Sequence, residues 1–166
     1  MFLLRKVNKS YWNRDSLPDW LAPGNVPAVC LNDLKADGGN KLSMWAVEDD
    51  RSNLDAVIAS LGANADDLDH FDYLLVDLER VSDRQIVTEK SSGYSPHAKA
   101  NTLWHRDLVK LSAAKLVGLA VIMMDSVPTV RLLKSEMKVL LLAGSSAGAL
   151  DPTRMKQKLL EKLRVA

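Results

Sequence analysis

The sequence predicts an α+β fold in one domain over residues 1–166: a small sheet with short helices in the N-terminal half, residues 1–90, closed by a helical C-terminal half over 101–164 that shares one core. Three observations predict it. The stretch Asn101 to Met124 carries Trp104, Leu108, Leu111, Leu119 and Ile122 at steps of three, four or their multiples, which places them on one face of a helix. Short apolar runs at 2–7, 41–47 and 73–76 have the length and residue types of strands. Clusters of Gly, Pro and Asn separate these segments. A chain of 166 residues, 47% apolar and 26% charged, can bury a core without disulfides or metals to hold it.

In chain order, FLLRKV (2–7) predicts a first strand. Tyr11 to Asn25 holds Pro18, Pro23 and Gly24 and predicts a loop whose Trp12 and Trp20 lie on the core as covers. Pro27, tolerated where a first-turn N–H needs no partner, opens a short helix to about Lys35, and Asp37-Gly38-Gly39-Asn40 ends it in a turn. Lys41 to Val47 alternates Leu42, Met44 and Ala46 against Trp45 and Val47, a strand covered on both faces. Ser52, with Asp55 three residues on, starts a helix of Leu54, Val57, Ile58 and Leu61 that stops at Gly62.

Asn64 to His70 suggests a further helical turn, Tyr73 to Val76 a buried strand, Gln85 to Thr88 a weaker one, and Ser91 to Lys99 a loop set by Gly93 and Pro96. The helix capped by Asn101 follows, nearly all apolar from Leu116 onward. Asp125 to Thr129, with Pro128, breaks the chain. Ser135 begins another helix that stops around Ala143-Gly144. Asp151 and Pro152 start a terminal helix with Met155, Leu159 and Leu163 along one stripe and basic residues elsewhere.

Composition narrows the function classes. Cys30 stands alone, at helical spacing from Pro27, Leu31 and Leu34, and reads as a small buried apolar side chain in a reducing compartment. The longest apolar run, Leu116 to Met124, falls far short of the roughly twenty residues that cross a bilayer, and the start of the chain lacks the order of an export signal. The expectation is a cytoplasmic protein with no membrane association. Net charge is only +1, but Glu48 to Asp83 holds eleven acidic residues against two basic, and Arg131 to Arg164 eight basic against three acidic. The two segments should attract one another, within the monomer or between copies.

Several motifs match in part. His105-Arg106-Asp107-Leu108 fits the opening of a protein-kinase catalytic loop, but Ser112 stands where the magnesium-binding asparagine belongs and no Gly-rich phosphate loop accompanies it. HRD then reads as the solvated face of a helix start. Gly144-Ser145-Ser146-Ala147-Gly148 fits G-x-S-x-G, and LLLAGSSAGAL locally resembles serine–aspartate lipases of the patatin kind. No histidine follows His105, and the only downstream aspartate, Asp151, comes five residues after the serine, so a helix end with a small-residue turn accounts for it better. Ser135-Glu136-Met137-Lys138 fits S-x-x-K without the other elements of that enzyme class.

Asp125, Glu136 and Lys138 resemble the D…E-x-K array of restriction-like nucleases, in which two carboxylates hold magnesium beside an activated water. That is the leading enzyme reading, although Ser135 to Ala143 starts like a capped helix where the array needs a strand. The acidic run Asp66, Asp67, Asp69, Asp72 lacks calcium-loop spacing, and His70, His97 and His105 lack zinc spacing. Arg154, Lys156, Lys158, Lys162 and Arg164 offer a nucleic-acid reading that the near-neutral total disfavours. The sequence therefore favours an interaction or accessory protein with no catalytic, cofactor or metal residues of its own, binding a protein partner or itself. Its candidate contact residues are Tyr94, His97, His105 and Arg106, where a polar cluster stands beside the core.

Overall fold

A computed structural model describes residues 1–22, 24–126 and 128–164, with the side chains of Ser16 and Arg164 outside that description. Its centre is β1 (Phe2–Lys6), a strand buried on both sides because successive side chains point to opposite faces. Leu3 enters one core and Leu4 the other. Antiparallel partners flank β1: β2 (Leu42–Val47), with Leu4 opposite Trp45, and β3 (Phe71–Asp77), with Leu4 opposite Leu75. Outward from β2 come β5 (His105–Val109) and then β4 (Val87–Lys90); outward from β3 comes β6 (Val130–Leu132). The order is β4-β5-β2-β1-β3-β6, every pairing antiparallel. The α+β class is as the sequence predicts.

Helical layers cover both faces. Leu3, Leu42, Met44, Leu74, Val76 and Leu108 pack under α2 (Leu78–Asp83), which adds Val81, α4 (Ala113–Met124), the 3-10 segment Ala28–Leu34 and Trp12. Leu4, Trp45, Val47, Phe71, Tyr73 and Leu75 pack under α1 (Leu54–Gly62) and Met137 of α5 (Lys134–Ser146). A third cluster, built on Leu141, Leu150, Met155, Leu159 and Leu163, docks α6 (Gln157–Arg164) behind α5. No helix among the described residues is long and apolar enough to cross a membrane.

The largest correction concerns Asn101 to Met124. It is three elements: α3 (Ala98–Leu103), β5, and α4. Residues 105–109 pair with β2 on one side and β4 on the other, and those ladders outweigh the helical spacing of Trp104, Leu108 and Leu111. Lys110 then takes a left-handed φ of 54°, and the Ser112 hydroxyl caps α4 by accepting from the Lys115 N–H at 3.3 Å. Asn101 caps nothing; it lies inside α3. The C-terminal half thus contributes β5 and β6 to the sheet and is not purely helical.

Smaller differences have local causes. Trp12 covers the core, with its indole N–H bonded to Asp33 at 2.7 Å, whereas Trp20 is 77% exposed. Pro27 opens a 3-10 helix in place of an α-helix. Asn53 and not Ser52 holds the N-cap position of α1, its amide bridging the Glu48 N–H and the Ala46 carbonyl. Residues 64–67 form a turn and bend and 68–70 no helical turn, β4 begins two residues later than expected, and Asp151 caps the 3-10 turn Pro152–Arg154 ahead of α6. The break at 125–129 stands on the described residues, with Val127 outside them.

Candidate functional site

The alternation of β1, β2 and β5 carries one row of side chains across the sheet on the side of α1: Leu4, Trp45 and His105 are register partners. One step toward the open end of the same face stand Lys6 and Ser43. Above them the end of α1 supplies Leu61, the following turn Asn64, and the loop before α3 Tyr94. Together they enclose a cavity of about 270 Å³.

A buried polar staple positions the Tyr94 loop. Asn101 donates its amide N–H to the Ser95 carbonyl at 2.9 Å and accepts from the Ser95 N–H and hydroxyl at 2.9 and 2.8 Å. The Ser60 hydroxyl of α1 completes it, 2.6 Å from that of Ser95. Gly93 rests directly on the floor: a Cβ there would lie 2.9 Å from Cη2 of Trp45 and 3.0 Å from the His105 ring, so no larger residue fits without moving both rings.

His105 is 6% exposed and meets Trp45 edge to face, ring centroids 5.0 Å apart. Its Nδ1 lies 2.8 Å from the Ser91 hydroxyl, and burial holds its pKa below the ordinary value, so the ring is neutral at pH 7. Tyr94 is 82% exposed at the rim, with the Arg154 guanidinium 4.6 Å from its ring centroid.

Of the four contact residues expected from sequence, the structure brings Tyr94 and His105 to this cavity and not the other two. His97 is buried as the N-cap of α3, where its Nδ1 accepts the Ala100 N–H at 3.3 Å beside Trp104. Arg106 follows His105 in a strand and so points to the opposite face; its guanidinium donates to the carbonyls of Leu103 and His105 at 2.9 and 2.8 Å. Sequence reasoning missed Lys6, Ser43 and Trp45 as neighbours of His105. Their strand alternation was the available signal, but only the β1–β2–β5 pairing turns it into proximity.

The motif residues are dispersed. Asp125 ends α4 on one face of the sheet and pairs with Arg14, while the Glu136 carboxylate caps its own helix on the other face, accepting from the Leu133 N–H at 2.6 Å. Asp125, Glu136 and Lys138 therefore do not converge, and 134–146 is helix where the nuclease array needs strand. His105 and Asp107 share a strand face from which Arg106 is excluded, so HRD is neither a catalytic loop nor a helix start. Gly144 to Gly148 closes α5: Gly148 has φ +67°, and the Gly144 carbonyl accepts the Ala149 N–H at 2.9 Å.

The oppositely charged segments meet within one chain. Lys158 reaches Asp67 at 2.7 Å, Lys134 reaches Asp69 at 3.4 Å, and Arg131 grips Asp72 through two bonds of 2.7 Å. Burial opposes the Asp72 charge, but Arg131 and the Lys9 N–H outweigh it and hold the carboxyl below its ordinary range. Among the described residues no group of three or more His, Cys, Asp or Glu is placed to hold a metal ion. Cys30 is buried, donates to the Tyr11 carbonyl at 2.9 Å, and is pushed up to about 11 by burial and by the charge of Asp33. No protein-family model, curated protein or solved structure matches the chain.

Proposed function

We propose that this chain is an intracellular interaction or accessory protein that works by binding a protein surface, a second copy of itself included, and not by catalysis. The observation that carries the reading is the outer side of α5. Met137 and Leu141 anchor that helix to the core, yet Val139 is 66% exposed and Leu142, three residues on and so on the same side, is exposed with it. Apolar side chains grouped on one helix, rather than scattered singly, are the usual sign of a contact face. Because the acidic and basic segments pair internally, the contact rests on apolar burial and not on charge.

Light scattering over a dilution series tests self-association. Apolar contact through α5 predicts an apparent mass that rises with concentration, persists in about 0.5 M salt where exposed charges are screened, and falls to the monomer value in Val139→Asp/Leu142→Asp. For a different partner, a photo-crosslinker at position 139 should give adducts in cells that the Leu142→Asp background removes. A monomer at every concentration together with no such adduct overturns the proposal. Magnesium-dependent cleavage of DNA or RNA that disappears in Glu136→Ala would overturn it from the other side, in favour of the nuclease reading.

A further inference from the structure

We infer that the open end of β1 binds a phosphate-type oxyanion, free or as the phosphoryl group of a small molecule, held where two hollows meet at Arg5 and Lys6. This goes beyond the interaction proposed for α5 and does not rest on it. One hollow is the cavity of about 270 Å³ below the Tyr94 loop; the other, of about 470 Å³, opens over Asn8, Asn32 and Asp33. Arg5, Lys6 and Leu61 line both, which makes them the wall the hollows share. The larger space lies within the usual span of ligand sites, about 300–1,000 Å³.

Arg5 supplies the fixed contact. Its guanidinium carries five N–H donors in a rigid fork, and three are used: Nε and Nη2 donate to the Asp33 carbonyl at 3.0 and 2.7 Å, and Nη1 donates to the Ser43 carbonyl at 2.7 Å. These acceptors are neutral, and Arg5 forms no ion pair among the described residues. Burial lowers its pKa although the charge of Asp33 pulls the other way, so the half-buried cation is not fully compensated inside the fold. The three carbonyl bonds hold the fork in place and leave one N–H on each terminal nitrogen for an anion.

Lys6 supplies the second charge. It is exposed and forms no ion pair among the described residues, its ammonium standing 5.6 Å from the Phe71 ring centroid. Beyond it, Asp69 and Asp72 are already paired with Lys134 and Arg131, so neither neutralises it. Asp33 is the one carboxylate among the described residues of the two hollows, and its Oδ2 accepts the Asn8 N–H at 2.8 Å and the Trp12 indole N–H at 2.7 Å. The walls thus set two cations against one committed acid, with the amides of Asn32 and Asn64 as neutral donors. Donors arriving from several directions suit a tetrahedral oxyanion better than a carboxylate, whose two oxygens lie in one plane.

The test uses the full chain labelled with ¹⁵N and titrated at pH 7 with inorganic phosphate and with glycerol 3-phosphate. NMR follows the Arg5 Nε–H and the backbone amides of 5–8, with glycerol and with sodium chloride at matched ionic strength as controls. Saturable shifts with a midpoint of about 1 mM are expected from two charge-assisted contacts. Tighter binding of glycerol 3-phosphate assigns the site to a phosphorylated small molecule, and equal binding assigns it to free phosphate. Lys6→Gln, an exposed position whose change spares the core, should weaken either ligand about tenfold, and Lys6→Arg should retain it. Absence of saturable shifts, an Arg5 Nε–H that stays fixed, shifts reproduced by sodium chloride or glycerol, or no effect of Lys6→Gln overturns the inference.

Discussion

Asp72 shows how one residue couples distant parts of the chain. Its carboxylate is only 4% exposed and takes two bonds from Arg131 on β6 and one from the Lys9 N–H after β1, so the charge is fully met inside the fold. Asp72→Asn keeps the volume and removes the charge. It should cost about 1.5 kcal/mol at neutral pH, the lower end for a bond to a charged group, because the Arg131 side chain is partly in water. Since the folded carboxyl lies below its unfolded value of about 3.9, its contribution is complete above that value and is lost as pH falls through the folded one. Urea midpoints should therefore separate wild type from Asp72→Asn at pH 7, begin to approach one another as pH falls below about 4, and meet only below the folded value of the carboxyl. A gap that widens in acid would contradict this account.

At the scale of elements, residues 101–124 divide into what local pattern reveals and what it hides. The half from Leu116 onward was legible, because an apolar run at helical spacing is a local signal, and α4 carries it; its Ser112 cap was not, since the cap was expected at Asn101. Residues 105–109 were not, because His105-Arg106-Asp107-Leu108-Val109 becomes a strand only once β2 and β4 are beside it. Asn101 matters to the fold, but through a different contact from the cap its position suggests, since its side chain holds the loop before α3 and not a helix start. Asn101→Ala would leave the Ser95 N–H and carbonyl buried without partners, a cost of about 1–3 kcal/mol. Backbone amides of 91–97 should then exchange faster while those of β3 change less, as expected for local release. Equal acceleration across the chain would mean that the staple supports the whole fold.

At the scale of the molecule, the sheet joins the two halves that composition separates. β1 lies between strands some 40 and 70 residues downstream, with Phe2 opposite Val47 and Asp77, and β2 depends on β5 for its other edge. Residues 1–90 alone would expose one edge of β2 and lose both α4 and α5. That fragment should be unfolded by far-UV circular dichroism and rapidly proteolysed, whereas the full chain should unfold in one cooperative transition seen equally by tryptophan fluorescence and circular dichroism. Two separated transitions, or a folded fragment, would show that the halves are independent units.

By itself the sequence determined the α+β class, a strand at 2–7, the covered faces of β2, the burial of β3, the breaks at Asp37 to Asn40 and around Pro128, and the inert burial of Cys30. These follow from alternation, turn chemistry and apolar content, which act within a few residues of the chain. Tertiary structure decided that 105–109 is a strand, that the acidic and basic segments pair in one copy, and that His105 shares a cavity with Tyr94, Trp45 and Lys6 and not with His97 or Arg106. Each of those depends on residues brought together from separate strands and loops. Pairing between segments tens of residues apart is set by the packing of the whole chain, and that packing leaves no periodic trace in the segments themselves.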